Sequence, residues 1–261
     1  MEIEIDFTKN AQQNAQDYFS RSKKAKHKAE GAEKSISELK EALNSISAAP
    51  KKGRVLRYSE KEWYEKFNWF FTSNSLLAIG GRSAQQNEII NSKYFLEGDL
   101  FFHADVFGAS VTILKGGVGA PREVKEEVAQ FAACYSRAWE EGSSANVYSL
   151  KRDQVSKSKE KGSLGTGSFL LSGEREWYKN VPLELAAFTE KNKEKVHDAT
   201  LEKAMIAPLS SCKALGISNY IRISPGNTKK SDAAKLIAKR LGYEDIDYIM
   251  QHLPAGSFSI K

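Results

Sequence analysis

Leu76-Leu77-Ala78-Ile79, then Gly80-Gly81-Arg82-Ser83, then Ala84-Gln85-Gln86-Asn87-Glu88-Ile89-Ile90 is the stretch on which the fold turns. A short apolar run, a glycine pair and a polar start to a second apolar pattern predict a strand over 76–79, a tight turn, and a helix over 84–95. Outward from it, Leu100 to Ala104 and Ser110 to Leu114 read as buried strands. A helix follows: Pro121 suits its first turn, Val124, Val128, Phe131, Tyr135 and Ala138 share one face, and Gly142 ends it. Further strands are expected at 145–150, 168–172, 205–207 and 220–223, with helices over 229–241 and 245–253. Runs of strands broken by a few helices, without regular βαβ alternation, predict an α+β domain, a mixed sheet with packed helices, rather than a doubly wound parallel one.

Upstream the character changes. Ala15, Tyr18, Ser22, Ala25, Ala29, Ala32, Ile36, Leu39, Leu43 and Ile46 recur at alternating three- and four-residue steps, the pattern of a coiled-coil seam. One helix cannot cover so narrow a stripe, so a helical partner or a second copy of the chain is expected. Arg21, Lys23, Lys24, Lys26 and Lys28 cluster on this arm with His27 and no interleaved acid, which suits either a solvated face or phosphate contact. Pro50 and Gly53 predict its end, giving an arm over residues 1–50 and a domain over 51–261.

Composition narrows the classes. The 261 residues are 41% hydrophobic, enough for a sizeable core, and carry a formal net charge of +6, which favours polyanionic partners. No apolar stretch approaches the ~20 residues needed to cross a bilayer, and the start lacks a secretory pattern, so a cytoplasmic chain is expected. Cys134 and Cys212 sit in apolar settings without a Cys or His at ligand spacing and read as buried, reduced thiols. Neither a cofactor nor a metal is implied.

The glycine turn delivers Arg82, Gln85, Gln86 and Asn87 to a helix start, where backbone N–H groups favour an anion. Arg82 can fork onto phosphate, and the amides can reach sugars or base edges. His103 and Asp105, at the end of the 100–104 strand, can face the same surface. The plainer alternative is that the glycines serve a turn while Asn87 and His103 satisfy buried backbone groups. Lys157, Lys159 and Lys161 lie in a polar, glycine-rich segment expected to be a mobile, phosphate-facing loop. Its Gly162-Ser-Leu-Gly-Thr-Gly167 lacks the Gly-Lys-Ser/Thr ending of a P-loop. Asn227 or Thr228 can cap a helix holding Lys229 and Lys230, another anion site. Trp63, Tyr64, Phe67, Trp69 and Phe70 can stack bases but more often build core.

Trp63-Tyr-Glu-Lys-Phe-Asn-Trp-Phe-Phe71, Gly80-Gly-Arg-Ser-Ala-Gln-Gln-Asn-Glu88, Gly98-Asp-Leu-Phe-Phe-His-Ala-Asp105, Cys134-Tyr-Ser-Arg-Ala-Trp139, Gln154-Val-Ser-Lys157 and Gly167-Ser-Phe169 together resemble the NFACT-R domain. That is the RNA-binding domain of the NFACT family of ribosome-associated quality control factors. Asn14-Ala-Gln-Asp-Tyr18 with Lys23-Lys-Ala-Lys26 resembles the end of the family's coiled-coil middle region. Ser224-Pro-Gly-Asn-Thr-Lys-Lys230 resembles the carboxyl-terminal stretch of archaeal members. The resemblance implies binding to tRNA and to large ribosomal subunits that carry an obstructed nascent chain, and a part in template-free tailing of that chain. It also implies RNA contact by Arg137 within its motif. The family's amino-terminal domain and helix-hairpin-helix region have no counterpart here, so tailing is not expected from this chain alone. Phe107 stands where a histidine is more usual, which puts a two-histidine role for that loop in doubt.

A rival class is an enzyme acting on RNA, with Asp99, His103 and Asp105 as acid–base or metal groups. Against it, His27, His197 and His252 lie in segments not expected to join His103.

Overall fold

The structure is a computed structural model that describes residues 5–46, 62–142, 144–157, 165–196 and 199–261; for residues 34, 35, 38, 39, 41–46, 190–196 and 199–202 it describes the backbone alone. The chain divides into two compact units, residues 1–59 and 60–261. The arm's expected end at Pro50 and Gly53 lies outside the described residues.

Among the described residues, the first unit is one helix, α1 (Ala11–Ile46), with a short turn before it. Asn10 starts it with a reciprocal cap: its carboxamide oxygen accepts from the Gln13 N–H at 2.8 Å, and the Gln13 side chain accepts from the Asn10 N–H at 3.0 Å. The Asn14 side chain ties the preceding turn down through Asp6, Lys9 and Asn10 carbonyls. Among the described seam residues, Tyr18 and Ile36 are 40% and 52% exposed. Three seam positions, Leu39, Leu43 and Ile46, have no described side chain.

The second unit begins with strands β1 (Asn68–Phe71) and β2 (Leu77–Gly80). The expected helix is a short α2 (Ala84–Ile89) running into a π-helical turn over Ile90–Tyr94. Then come β3 (Leu100–Ala104), β4 (Thr112–Leu114), α3 (Arg122–Cys134), α4 (Ala138–Glu141), β5 (Ala145–Lys151), β6 (Val155–Ser156), β7 (Leu170–Leu171) and β8 (Glu176–Val181). The chain closes with β9 (Leu185–Val196), β10 (Ala199–Pro208), α5 (Leu209–Ala214), β11 (Ile221–Thr228), α6 (Lys230–Leu241), α7 (Ile246–His252) and β12 (Phe258–Ile260). Two sheets result, ordered β1-β2-β4-β3-β5-β8 and β10-β9-β11-β12, with a two-stranded β6-β7 ribbon. Every pairing among the described strands is antiparallel, so the α+β class holds while the expected mixed sheet becomes an antiparallel one.

Helix α3 explains how the layers meet. It packs on β3, β4, β5 and β8 of the first sheet, and also on β10 and α5. Its apolar stripe continues around the helix: Val128, Ala129, Phe131, Ala132 and Ala133 are all fully buried. Two polar residues are buried with them and both are satisfied, as burial demands. The Glu127 carboxylate accepts from the Ser73 N–H at 2.9 Å and from its hydroxyl. Gln130 donates to the Pro182 carbonyl at 3.2 Å and accepts from the Ser210 N–H at 2.9 Å. Phe131 meets Phe70 with centroids 4.8 Å apart, and a Cβ on Gly80 would stand 3.1 Å from its ring, so glycine lets the helix approach β2. Phe67, Trp69 and Phe70 are core, as their apolar bulk favours, while Trp63 stacks on Tyr94 at 4.6 Å with its outer side exposed. Both cysteines are buried and unpaired, and burial pushes the Cys212 thiol up to about 12.

Candidate nucleic-acid interface

The Gly80-Gly81 turn is built for the protein's own side chains. A Cβ on Gly81 would lie 2.0 Å from the Asn87 carboxamide oxygen, so only glycine lets that oxygen in. Once there, Asn87 Oδ1 accepts from the Val111 N–H at 3.2 Å, and the residue is buried. Ser83 caps α2 by accepting from the Gln86 N–H at 3.2 Å, taking the place at the helix start where an anion was expected. Gln86 in turn accepts from the Arg82 N–H at 2.9 Å and donates to the Lys66 carbonyl at 3.0 Å. Of the amides singled out in this turn, Gln85 is left exposed.

Arg82 points inward too. Its Nη2 donates to the Phe67 carbonyl at 2.7 Å and lies 3.0 Å from His252 Nε2, while Nε donates to Asn68 Oδ1 at 3.1 Å. His252 Nδ1 stands 2.7 Å from the Tyr248 carbonyl, which fixes that nitrogen as the proton carrier and Nε2 as acceptor. Burial, with Arg82 and Lys203 as lesser causes, brings the His252 pKa down to about 4. Lys230 donates to the Leu253 carbonyl at 2.8 Å, and burial and then the Arg82 charge hold its ammonium below the usual range. The glycine turn and the start of α6, far apart in sequence, thus meet around α7. Lys229, not Asn227 or Thr228, occupies the N-cap position of α6, and it makes no side-chain cap. Its side chain is exposed.

The first sheet has a second face, opposite α3. Side chains alternate along a strand, so Phe102 and Tyr178 look toward α3 while Phe101, His103, Tyr148 and Trp177 look away. Part of this face is roofed. A Cβ on Gly167 would lie 2.9 Å from that of Ala84, Lys157 pairs with Glu88 at 3.0 Å, and Phe169 meets Phe101 edge-on at 6.4 Å. From Phe101 a ladder runs to the edge strand: Phe101 on His103 at 6.1 Å, His103 on Tyr148 at 5.7 Å, Tyr148 on Trp177 at 5.3 Å. Tyr148 Oη lies 3.2 Å from His103 Nδ1, and burial keeps the imidazole below its ordinary pKa. Asp105 lies exposed just past the end of β3. The Arg175 guanidinium sits over Tyr148 at 4.5 Å and over Trp177 at 5.9 Å, and among the described residues it has no carboxylate partner. Lys157 lies over Phe169 at 5.5 Å. Sequence reasoning missed Arg175, Trp177 and β8 altogether; Glu-Trp-Tyr-Lys-Asn-Val carries too many polar residues to stand out as a strand, though Trp-Tyr beside Arg and Lys was a usable signal.

The remaining candidates scatter. Asp99 is buried before β3, accepting from the Leu96 and Gly116 N–H groups at 2.8 Å each and pairing with Lys115. A five-residue strand separates it from Asp105, roughly 20 Å at ~3.4 Å per residue, so the Asp99, His103, Asp105 constellation is not assembled. The enzyme reading has no support in this geometry. Phe107 is 89% exposed. Arg137 is exposed at the turn between α3 and α4. Lys159 and Lys161 lie outside the described residues, with the rest of 158–164, while the first part of the segment expected as a mobile loop is ordered, Lys151 ending β5, Arg152–Gln154 forming a 3-10 turn and Val155–Ser156 forming β6. On the arm, Arg21 leans toward Tyr18 at 6.0 Å, and Lys23, Lys24, Lys26 and Lys28 are exposed. Among the described residues no three His, Cys, Asp or Glu side chains converge as a metal site, and no helix is long and apolar enough to cross a membrane.

Comparison with known proteins bears on the same domain. The sequence profile of the NFACT protein RNA binding domain matches residues 66–173. An archaeal Rqc2 homolog, aRqcH, of Methanocaldococcus jannaschii is 37% identical over 207 residues, 77% of this chain and 30% of that protein. The human ribosome quality control complex subunit NEMF is 34% identical over 170 residues, 62% of this chain and 16% of that protein. The Drosophila melanogaster NEMF homolog is 31% identical over 194 residues, 70% of this chain and 19% of that protein. A solved structure of the carboxyl-terminal part of a Streptococcus suis fibronectin/fibrinogen-binding protein overlaps loosely, with a TM-score of 0.40 at 18% identity, covering 68% of this chain and 77% of that one. This chain therefore spans less than a third of the length of these curated relatives, and it belongs to the NFACT family through the RNA-binding domain it carries.

Proposed function

We propose that this chain binds RNA in cytoplasmic ribosome-associated quality control, holding tRNA or large-subunit ribosomal RNA without catalysing a reaction. The match of residues 66–173 to an RNA-binding domain carries the reading, and the relatives' names supply the process. Tailing is not assigned to this chain alone. Geometry narrows the sequence-based candidates. Arg82, Gln86, Asn87 and Lys230 are committed to internal hydrogen bonds; Gln85, Asp105, Arg137 and Lys229 are the exposed candidates on the domain, and His103, bonded to Tyr148, and Lys157, paired with Glu88, are candidates that already have one partner. Lys159 and Lys161 stay with them on charge alone. Arg21, Lys23, Lys24, Lys26 and Lys28 give the arm a phosphate-facing surface, and its seam suits a second copy of the chain or a helical partner.

Basic contacts act by releasing counterions, so affinity for tRNA is expected to fall steeply with salt. Lys23→Ala/Lys24→Ala should reduce the log–log slope by about 1.4 to 1.8 if both lysines meet phosphate. Arg82→Lys should lower the melting temperature and leave the slope unchanged, because its fork holds β1 to α7. Titration of labelled tRNA at several salt concentrations reads both. A wild-type affinity indifferent to salt would overturn the proposal. Sedimentation equilibrium reads self-association of the arm; a monomer at every concentration would remove the second copy as its partner.

A further inference from the structure

We propose that the Trp177 edge of the first sheet is a stacking site for unpaired RNA, with the Trp177 indole as the platform for a base and Arg175 as the clamp on its phosphate. The inference rests on the RNA-binding reading and names which part of an RNA this edge takes. Trp177 is 37% exposed on β8, the edge strand of the sheet, beside a ladder of rings whose inner members are packed and hydrogen-bonded. A tryptophan so placed offers a flat apolar surface that a duplex, with its bases already stacked, cannot use. Unpaired bases can, and stacking on aromatic side chains is a common means of holding single-stranded RNA.

Charge selects the same ligand. Arg175 lies over the Tyr148 ring at 4.5 Å, a cation–π contact that does not use up its N–H donors and so leaves them for a phosphate. Lys179 follows two residues after Trp177 on β8 and is exposed. Lys157, at the inner end over Phe169, is partly neutralised by Glu88. Asp105 is the acid beside His103. The surplus is positive next to the exposed ring, which suits a polyanion better than an apolar peptide.

The test uses the full chain, a fluorescently labelled 12-nucleotide oligouridylate, and a blunt RNA duplex. Trp177→Ala should weaken binding of the oligouridylate about 5- to 150-fold, the loss expected for one stacked base, with the duplex affinity unchanged. Trp177→Phe should retain most of the binding, and Trp177→Leu should lose it; the two bracket any effect on folding, which melting curves monitor. Arg175→Ala should reduce the salt dependence for the oligouridylate. Wild-type binding to the duplex together with unchanged oligouridylate binding by Trp177→Ala would overturn the stacking site while sparing the RNA-binding reading. Failure of the wild type to bind either RNA would overturn both.

Discussion

Asp99→Asn is expected to cost about 3 kcal/mol of stability, read as a fall of ~6–12 °C in melting temperature. Asp99 is 4% exposed, and its carboxylate gathers two backbone N–H groups and the Lys115 ammonium. An amide retains shape but turns a donor toward that cluster and leaves the lysine short of a charge partner. Lys115 is a quarter exposed at its side chain, so water relieves part of the cost, and the figure stays at the lower end for a broken buried pair. Adding Lys115→Met to Asp99→Asn should recover part of the loss, because the stranded charge goes with it. An unchanged melting temperature would mean that Asp99 does not hold the turn before β3. Such a result would reopen a chemical role for this carboxylate.

Mild acid should destabilise the domain through His252. Its folded pKa of about 4 lies below the ordinary 6.5, so between those values the unfolded chain binds more protons at this site than the folded one. Stability contributed by the neutral ring is complete above pH ~6.5 and is lost as pH falls toward 4, about 2 kcal/mol by pH 5 and about 3 kcal/mol in full. Protonation would set an imidazolium against Arg82 at 3.0 Å, with Lys203 also repelling it and the Tyr248 carbonyl and Glu65 offsetting only in part. His252→Gln can still accept from Arg82 and donate to the Tyr248 carbonyl, so its denaturation midpoint should vary less between pH 7 and pH 5 than the wild type's. Parallel pH curves for the two proteins would show that some other group carries the acid sensitivity.

The parts of the fold legible in the sequence were those with strong local signals. The strand at 100–104 and the helix bounded by Pro121 and Gly142 were marked by apolar runs and by residues that start and stop helices, although a turn at Tyr135 divides that helix in two. The long β9–β10 hairpin was largely illegible. Its base is anchored by Leu185, Ala186, Ala187 and Phe188 against Ala204 to Ala207, but the intervening Lys and Glu residues carry no strand pattern, since their pairing is imposed by the hairpin itself. Likewise, glycines at 80 and 81 announced a turn without saying what they admit. A backbone left open for phosphate and one left open for Asn87 share the same residues, and only the partner's position separates them. The aromatic ladder was hidden for a related reason: His103, Tyr148 and Trp177 become neighbours through cross-strand register, over separations no local pattern spans.

Ultraviolet crosslinking of the full chain to tRNA and to large-subunit ribosomal RNA, followed by identification of the crosslinked peptides, tests the account most directly. Adducts on the segment containing Arg175 and Trp177, joined by adducts on the arm around Lys23 and Lys24, are the expected result. Adducts confined to the exposed face of α3, or none with either RNA, would contradict it.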